Sequence, residues 1–152
     1  MRWDILYKNN IDQPEDLLKV LLENREIKTK KEKDEFLSPK FPDEFELDFS
    51  KAVTLIKRAI KANTQIIVYG DYDADGICAT AIMWEALNSL KAEAMPFIPM
   101  REVEGYGISK DGVDSILTKY QPGLIIVVDS GIVAHEAIDY AKKKGFKVIV
   151  ID

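Results

Sequence analysis

The chain has 152 residues, of which 47% are apolar and 31% are charged, and its formal net charge is −5. This composition is typical of a folded globular protein, and no apolar run approaches the ~20 residues that cross a bilayer. A single cysteine, Cys78, excludes an intramolecular disulfide and fits a reducing cytoplasm, while the acidic balance argues against a general field that attracts nucleic acid. We therefore expect a cytoplasmic protein without membrane contact.

Residues 1–50 are polar and interrupted, and we predict that they form a small helical N-terminal segment. The leucine-rich stretch at 17–22 has the spacing of an amphipathic helix. A basic run at 28–33 is interpreted as a solvated helix face, and Pro39 and Pro42 mark a break before the next element.

From residue 51 onward, helical patterns alternate with near-continuous runs of β-branched residues. Uniformly apolar strands separated by helices are typical of a buried parallel sheet with right-handed crossovers. We therefore predict an α/β fold over residues 51–152, with an open parallel sheet and helices on both faces. The strands are predicted at the run that begins at Ile66 and at 94–99, 124–129 and 147–151.

Aspartates follow three of these strands. Asp71 ends the first run and is followed at alternate positions by Asp73 and Asp75, while Asp129 and Asp152 end the two later runs. Because parallel strands point the same way, their carboxyl ends line one edge, where open α/β folds bind ligands. Crowded carboxylates repel one another unless a cation offsets their charge. The sequence therefore predicts a metal site at this edge.

Three other interpretations of the acidic loop fit less well. An EF-hand needs a glutamate at the twelfth position and a helix in front, whereas Ile82 and a strand occupy those places. A phospho-accepting receiver domain would use Asp129, but the long N-terminal extension and the lack of a later strand with a lysine disfavour it. The aspartates would otherwise be turn and N-cap residues, which is unremarkable for one aspartate but not for three.

The remaining interpretation is a phosphoesterase with two metal ions. Two hard cations that share carboxylates activate a water and stabilise the oxygens of an in-line displacement. Imidazoles usually complete such a site for manganese, yet the only histidine, His135, is interpreted as a surface residue of the helix after Asp129. We therefore expect the chain to be a fragment of a longer protein.

Several motifs resemble one family. Residues 68–76 resemble the first motif of the DHH phosphoesterase superfamily, in the form found in its RecJ-type exonucleases, and 128–132 resemble the second motif. Residues 98–109 resemble the RecJ-type stretch of Ile-Pro, Arg and Glu-Gly-Tyr-Gly. The leading segment of these exonucleases is similar to 24–27 and 35–39.

This resemblance implies a metal-dependent exonuclease that hydrolyses single-stranded DNA from 5′ to 3′ in recombination and repair. It also implies two divalent cations, with Mn²⁺ preferred or Mg²⁺ in its place. The family's third motif is Asp-His-His, of which Asp152 matches only the first residue, so we expect this fragment to be inactive alone. Most contacts with single-stranded DNA are expected in missing domains, and single-strand-binding and helicase proteins are candidate partners.

The resemblance also implies roles for the aspartates. Asp73 and Asp75 match the metal ligands of the first motif, and Asp129 matches the bridging ligand of the second. Asp75 and Asp129 are therefore the candidate catalytic residues. Asp71 would be a further acidic contributor to the metal site, and Asp152 would orient a histidine rather than bind metal.

Three residues of the 98–109 stretch are candidates for substrate binding. The Arg101 guanidinium suits a phosphate, although a surface ion pair with Glu102 or Glu104 is the alternative. Tyr106 would stack on a base or pack within its loop. Gly107 indicates unusual backbone angles or a close approach of a ligand.

Two other functions stay open. One is a DHH phosphodiesterase that acts on oligoribonucleotides or cyclic dinucleotides. The other is a catalytically dead scaffold with a DHH fold, which would have no chemical need for the aspartates.

Overall fold

The structure is a computed structural model that describes residues 11–40 and 48–152. The chain divides into two compact units, one that ends at Leu47 and one that spans 48–152. Each unit is described by itself, and the domain boundary near residue 50 stays a prediction. In the described part of the chain, no helix is long and apolar enough to cross a membrane.

The described residues of the first unit form two helices, α1 (Pro14–Glu23) and α2 (Lys30–Leu37). Pro14 occupies the first turn of α1, where its fixed φ suits a helix and its missing N–H is not needed. Helix α2 begins with a capping box, because the Thr29 side chain accepts the amide of Glu32 and the Glu32 carboxylate accepts the amide of Thr29.

The second unit is a parallel sheet with helical connections. Its strands lie in the order β2-β1-β3-β4, and all neighbours are parallel, as predicted. The elements in chain order are α3 (Ser50–Lys61), β1 (Ile66–Tyr69), α4 (Ala74–Ser89), β2 (Ala94–Phe97), α5 (Lys110–Leu117), β3 (Leu124–Val128), α6 (His135–Lys143) and β4 (Lys147–Ile151).

Strand β2 is shorter than predicted. The carbonyl of Phe97 still accepts the amide of Gly70 at 3.0 Å, but the pairing ends there rather than at residue 99. Pro99 has no N–H to donate to a ladder, so the chain turns away towards the loop at 98–109.

Helices cover both faces of the sheet, because the strand side chains alternate between two apolar cores. Ile67, Tyr69 and Val127 pack on one face with residues of α5 and α6. Val68 and Ile126 pack on the other face with residues of α3 and α4. This double burial explains the uninterrupted apolar strands.

The chain reverses its direction of winding between β1 and β3. Strand β1 leads through α4 to β2 on one side, whereas β3 leads through α6 to β4 on the other. The loops after these two central strands therefore diverge at their carboxyl ends. Such a switch point opens a crevice, which is where doubly wound sheets bind ligands.

Two glycines let α4 lie directly on the loop after β1. A Cβ at Gly76 would lie 2.7 Å from the backbone nitrogen and oxygen of Asp71, and a Cβ at Gly70 would overlap the hydroxyl of Thr80. The first turn of α4 is thus in contact with the chain that carries the acidic motif.

Replacing Gly76 with alanine tests this contact. Intrinsic helix propensity alone would favour alanine, but overlap with the Asp71 backbone is expected to lower the free energy of unfolding by roughly 1–3 kcal/mol. Urea unfolding of Gly76→Ala measures the change, and Cys78→Ala, at an exposed position of the same helix, should stay within about 0.5 kcal/mol of wild type. A Gly76→Ala chain that is more stable than wild type would contradict the close packing of α4 on the Asp71 backbone.

Candidate metal centre

Asp73 and Asp75 are fixed by the start of α4. Asp73 is the N-cap residue, and its Oδ1 accepts the amide of Gly76 at 2.9 Å, which leaves its second oxygen for another partner. Asp75 lies exposed in the first turn. Both carboxylates benefit from the positive end of the helix dipole, so the helix stabilises charge at this position.

Asp71 is fully buried at the carboxyl end of β1. Its Oδ1 accepts the amide of Tyr72 at 2.8 Å, whereas its buried Oδ2 has no hydrogen-bond partner among the described residues. A buried carboxylate oxygen is costly unless a donor or a cation satisfies it. This oxygen therefore fits a cation at the edge.

Asp129 follows β3 in an unusual backbone conformation. Its φ is +58°, in the left-handed region that residues other than glycine seldom adopt, and its amide donates to the Ile151 carbonyl at 2.9 Å. Strained backbone of this kind is concentrated at functional sites. The tight turn keeps the Asp129 side chain half-buried at the edge.

Asp129 is close enough to the other predicted acidic residues for their charges to act on it. Partial burial raises the pKa of Asp129, and the negative charges of Asp73, Asp75, Asp71 and Asp152 raise it further. The other four aspartates that the sequence singled out therefore lie within electrostatic range of Asp129. In the described residues, no three His, Cys, Asp or Glu side chains yet surround one point as a finished ligand set. The donor chemistry fits a hard cation, since carboxylate oxygens are the ligands that such ions prefer.

Asp152 braces the loop after β3. Its Oδ2 accepts the amide of Ile132 at 2.9 Å, so the end of β4 holds the chain just beyond Asp129. Its predicted role in orienting a histidine stays a prediction. His135 lies exposed at the start of α6.

Arg101 lies next to aromatic rings. Its guanidinium carbon is 5.4 Å from the centroid of the Tyr72 ring, and Tyr72 contacts Tyr106 edge-on with the centroids 6.1 Å apart. Within the described ranges, Arg101 forms no ion pair with Glu102 or Glu104, so the alternative of a surface ion pair is not what the structure shows.

Glu104 is instead a buried brace, which the sequence did not reveal. Its carboxylate accepts the amide of Met100 at 2.6 Å and the hydroxyl of Ser115 at 2.8 Å. The turn at 100–104 is thereby tied to α5. The Glu-Gly-Tyr-Gly stretch separates Glu104 from its exposed neighbour Glu102, but only the fold shows that Glu104 is buried.

Tyr106 lies over the acidic edge and is 67% exposed, more than a ring packed within its loop would be. The charge of Asp71 raises the pKa of the Tyr106 hydroxyl, and Asp73 and Asp129 contribute smaller effects of the same sign. The loop at 98–109 therefore faces the acidic motif across the crevice.

Gly107 has the unusual backbone angles that were predicted, and its close neighbour is Ser130. Its φ is +61°, and a Cβ there would lie 3.2 Å from the Cβ of Ser130. Its carbonyl accepts the buried hydroxyl of Tyr69 at 3.0 Å. Tyr69 thus joins the central strand to the loop that carries Tyr106, a role that its place in an apolar run concealed.

The pattern and the fold match a known family. The profile of the DHH family, N-terminal domain, matches residues 65–152, which is more than half of the chain. The chain therefore belongs to the DHH family.

Single-stranded-DNA-specific exonucleases named RecJ are among its relatives, which confirms the predicted resemblance. RecJ of Bacillus subtilis (strain 168) is 42% identical over 113 residues, which are 74% of this chain and 14% of that protein. RecJ of Escherichia coli (strain K12) is 34% identical over 137 residues, which are 90% of this chain and 24% of that protein. The chain thus spans no more than about a quarter of these relatives.

Solved structures support the same assignment and confirm the predicted fold class. A crystal structure of exonuclease RecJ bound to manganese has a TM-score of 0.60 at 39% identity, covering 67% of this chain and 26% of that one. A crystal structure of RecJ from Thermus thermophilus in complex with Mn²⁺ has a TM-score of 0.57 at 31% identity, covering 85% of this chain and 17% of that one.

The Tyr69 hydroxyl gives a prediction about alkaline pH. Burial raises the pKa of Tyr69 to about 12, so the folded chain holds this proton more tightly than the unfolded chain, whose tyrosines titrate near the ordinary value of about 10. The resulting stability is present below about pH 10 and is lost as the pH rises towards 12. Relative to Tyr69→Phe, wild type should lose roughly 2–3 kcal/mol of unfolding free energy over this interval.

Urea unfolding of both chains across that pH range measures the difference. At neutral pH, Tyr69→Phe should be less stable by about 1 kcal/mol, because the Gly107 carbonyl loses its donor. A difference in unfolding free energy between the two chains that stays constant up to pH 12 would contradict the burial of this hydroxyl.

The crowding around Asp129 predicts a stabilising substitution. Asp129→Asn removes a charge that four neighbours oppose, and Asp129→Gly also relieves the left-handed backbone. In buffer with a chelator, both should raise the melting temperature by roughly 2–5 °C, with glycine the larger effect. Asp139→Asn, on the exposed surface of α6, is the matched control. If Asp129→Asn has a lower melting temperature than wild type in the absence of metal, the neighbouring carboxylates do not destabilise the Asp129 charge.

Proposed function

We propose that the protein containing this chain is a metal-dependent 5′-to-3′ exonuclease of single-stranded DNA. The observation that carries the proposal is that aspartates follow β1, β3 and β4 at the carboxyl edge of the sheet, where the charges of the other four act on Asp129. The names of the relatives and the manganese in two similar structures support it. A role in recombination and repair and a cytoplasmic location are part of the proposal.

Asp73, Asp75 and Asp129 would bind the metal, and the buried Asp71 would add a further carboxylate oxygen from the carboxyl end of β1. When bound, two divalent cations, Mn²⁺ or Mg²⁺, would activate water and offset charge on the phosphodiester. The chain itself supplies orientation, since the start of α4 fixes Asp73 and the left-handed turn after β3 fixes Asp129. Both carboxylates are then presented to the same crevice.

The loop at 98–109 would hold the substrate on the other side of the crevice. The Arg101 guanidinium would bind a phosphate, and the exposed ring of Tyr106 would stack on an unpaired base. The positive φ of Gly107 lets the loop approach Ser130 closely, which keeps Tyr106 near the acidic edge.

The rest of the full-length protein would complete the activity. Because the chain carries a net charge of −5, most of the affinity for DNA would come from other domains, and single-strand-binding and helicase proteins stay candidate partners. His135, the only histidine, lies exposed at the start of α6, and no three His, Cys, Asp or Glu side chains of the described residues form a ligand group, so the 152-residue chain alone would have little nuclease activity.

The test uses the full gene product and 5′-labelled single-stranded DNA with Mn²⁺. Wild type should release mononucleotides, and Asp75→Ala should lower the rate by at least roughly a hundredfold, since a metal ligand is lost. Asp139→Ala, an exposed aspartate of α6, is the control and should retain the rate.

Other outcomes would replace the proposal. Turnover of a dinucleotide without release from the DNA would indicate a small-substrate phosphodiesterase. Inertness on both substrates would favour a scaffold that lacks activity.

A further inference from the structure

We propose that Tyr72 is a positioning residue that holds the Arg101 guanidinium and the Tyr106 ring in place for single-stranded DNA. This inference rests on the proposed function and specifies how the side chains that bind its DNA substrate are positioned. Tyr72 lies within the acidic motif, but its neutral phenol is a weaker ligand for a hard cation than the carboxylates beside it. Its ring is instead the contact between the loop after β1 and the loop at 98–109.

The contacts of the Tyr72 ring are those of a platform. The Arg101 guanidinium carbon lies 5.4 Å from its centroid, within the range of a cation–π interaction. The Tyr106 ring meets it at an interplanar angle of 81° with the centroids 6.1 Å apart, which is a favourable edge-on geometry. One ring therefore sets the position of both candidate DNA contacts.

The backbone that carries this ring is fixed on both sides. The amide of Tyr72 donates to the Oδ1 of buried Asp71, and Asp73 caps α4 through the amide of Gly76. Gly76 in turn is in close contact with the Asp71 backbone. Tyr72 thus projects from a segment that has little freedom to move.

Charge explains why an aromatic ring suits this position. A guanidinium close to five carboxylates would be drawn into an ion pair with them, which would neutralise the proposed metal site. The face of the Tyr72 ring attracts the cation without adding negative charge. In the described chain, Arg101 donates no hydrogen bond and forms no ion pair, so its N–H donors are free for a phosphate.

The nearby Glu104 does not compete with the Tyr72 ring for the Arg101 guanidinium. Glu104 is buried and is engaged by the Met100 amide and the Ser115 hydroxyl. Tyr106 remains 67% exposed while its ring meets Tyr72 edge-on, which leaves ring surface for a base. Tyr72, Arg101 and Tyr106 therefore present a guanidinium group and an aromatic surface together.

A double-mutant cycle in the full gene product tests the inference, with single-stranded oligothymidylate as substrate and Mn²⁺ saturating. Tyr72→Leu should raise KM by about two- to fivefold, the equivalent of an exposed cation–π contact, while kcat changes less. Tyr72→Phe keeps the ring and should restore most of the affinity. In an Arg101→Met background, Tyr72→Leu should raise KM by a smaller factor than in wild type, because only its contact with Tyr106 is left to lose.

Two controls separate positioning from damage. Arg58→Met removes the same charge from an exposed site at the opposite, amino edge of the sheet and should leave KM unchanged. The Mn²⁺ concentration for half-maximal activity should be the same in wild type and Tyr72→Leu.

Four results would overturn the inference. They are an equal effect of Tyr72→Leu in both backgrounds, failure of Tyr72→Phe to restore affinity, a parallel loss of Mn²⁺ affinity, and an effect on kcat alone. A wild-type protein that neither binds nor degrades the oligonucleotide would instead remove the proposed function and this inference with it.

Discussion

Mutual repulsion among carboxylates at the carboxyl edge of the sheet is the constraint around which this domain is organised. The parallel strands β1, β3 and β4 place Asp71, Asp129 and Asp152 at one edge, and the acidic loop adds Asp73 and Asp75. Five like charges in one place destabilise a fold unless a counter-charge compensates for them. The α4 dipole supplies part of that compensation, and the arrangement calls for a cation to supply the rest.

The opposite side of the crevice is organised by buried hydrogen bonds. The Tyr69 hydroxyl holds the Gly107 carbonyl, and Glu104 ties its turn to α5 through Met100 and Ser115. These buried contacts fix a loop whose outer side chains are cationic and aromatic. The crevice thus has an acidic side suited to metal and a side suited to phosphate and base, a division that fits the proposed phosphodiesterase activity.

The general architecture was predictable because it follows from local patterns. Uniformly apolar strands require burial on both faces, and parallel strands then place Asp71 and Asp129 at the same edge. The remainder depends on contacts between segments distant in sequence. The left-handed backbone of Asp129, the burial of Glu104 and the contact between Tyr72 and Arg101 arise only when three loops meet, and no period or spacing encodes them.

The most direct test of the central claim is paramagnetic broadening by Mn²⁺ in the NMR spectrum of the 152-residue chain. If the acidic edge is the cation site, amide signals of residues 71–76 and 129–132 should broaden first, while those at the amino ends of the strands stay sharp. Asp129→Asn should weaken this localised broadening. Broadening centred on another acidic surface, or none at saturating Mn²⁺, would contradict the account.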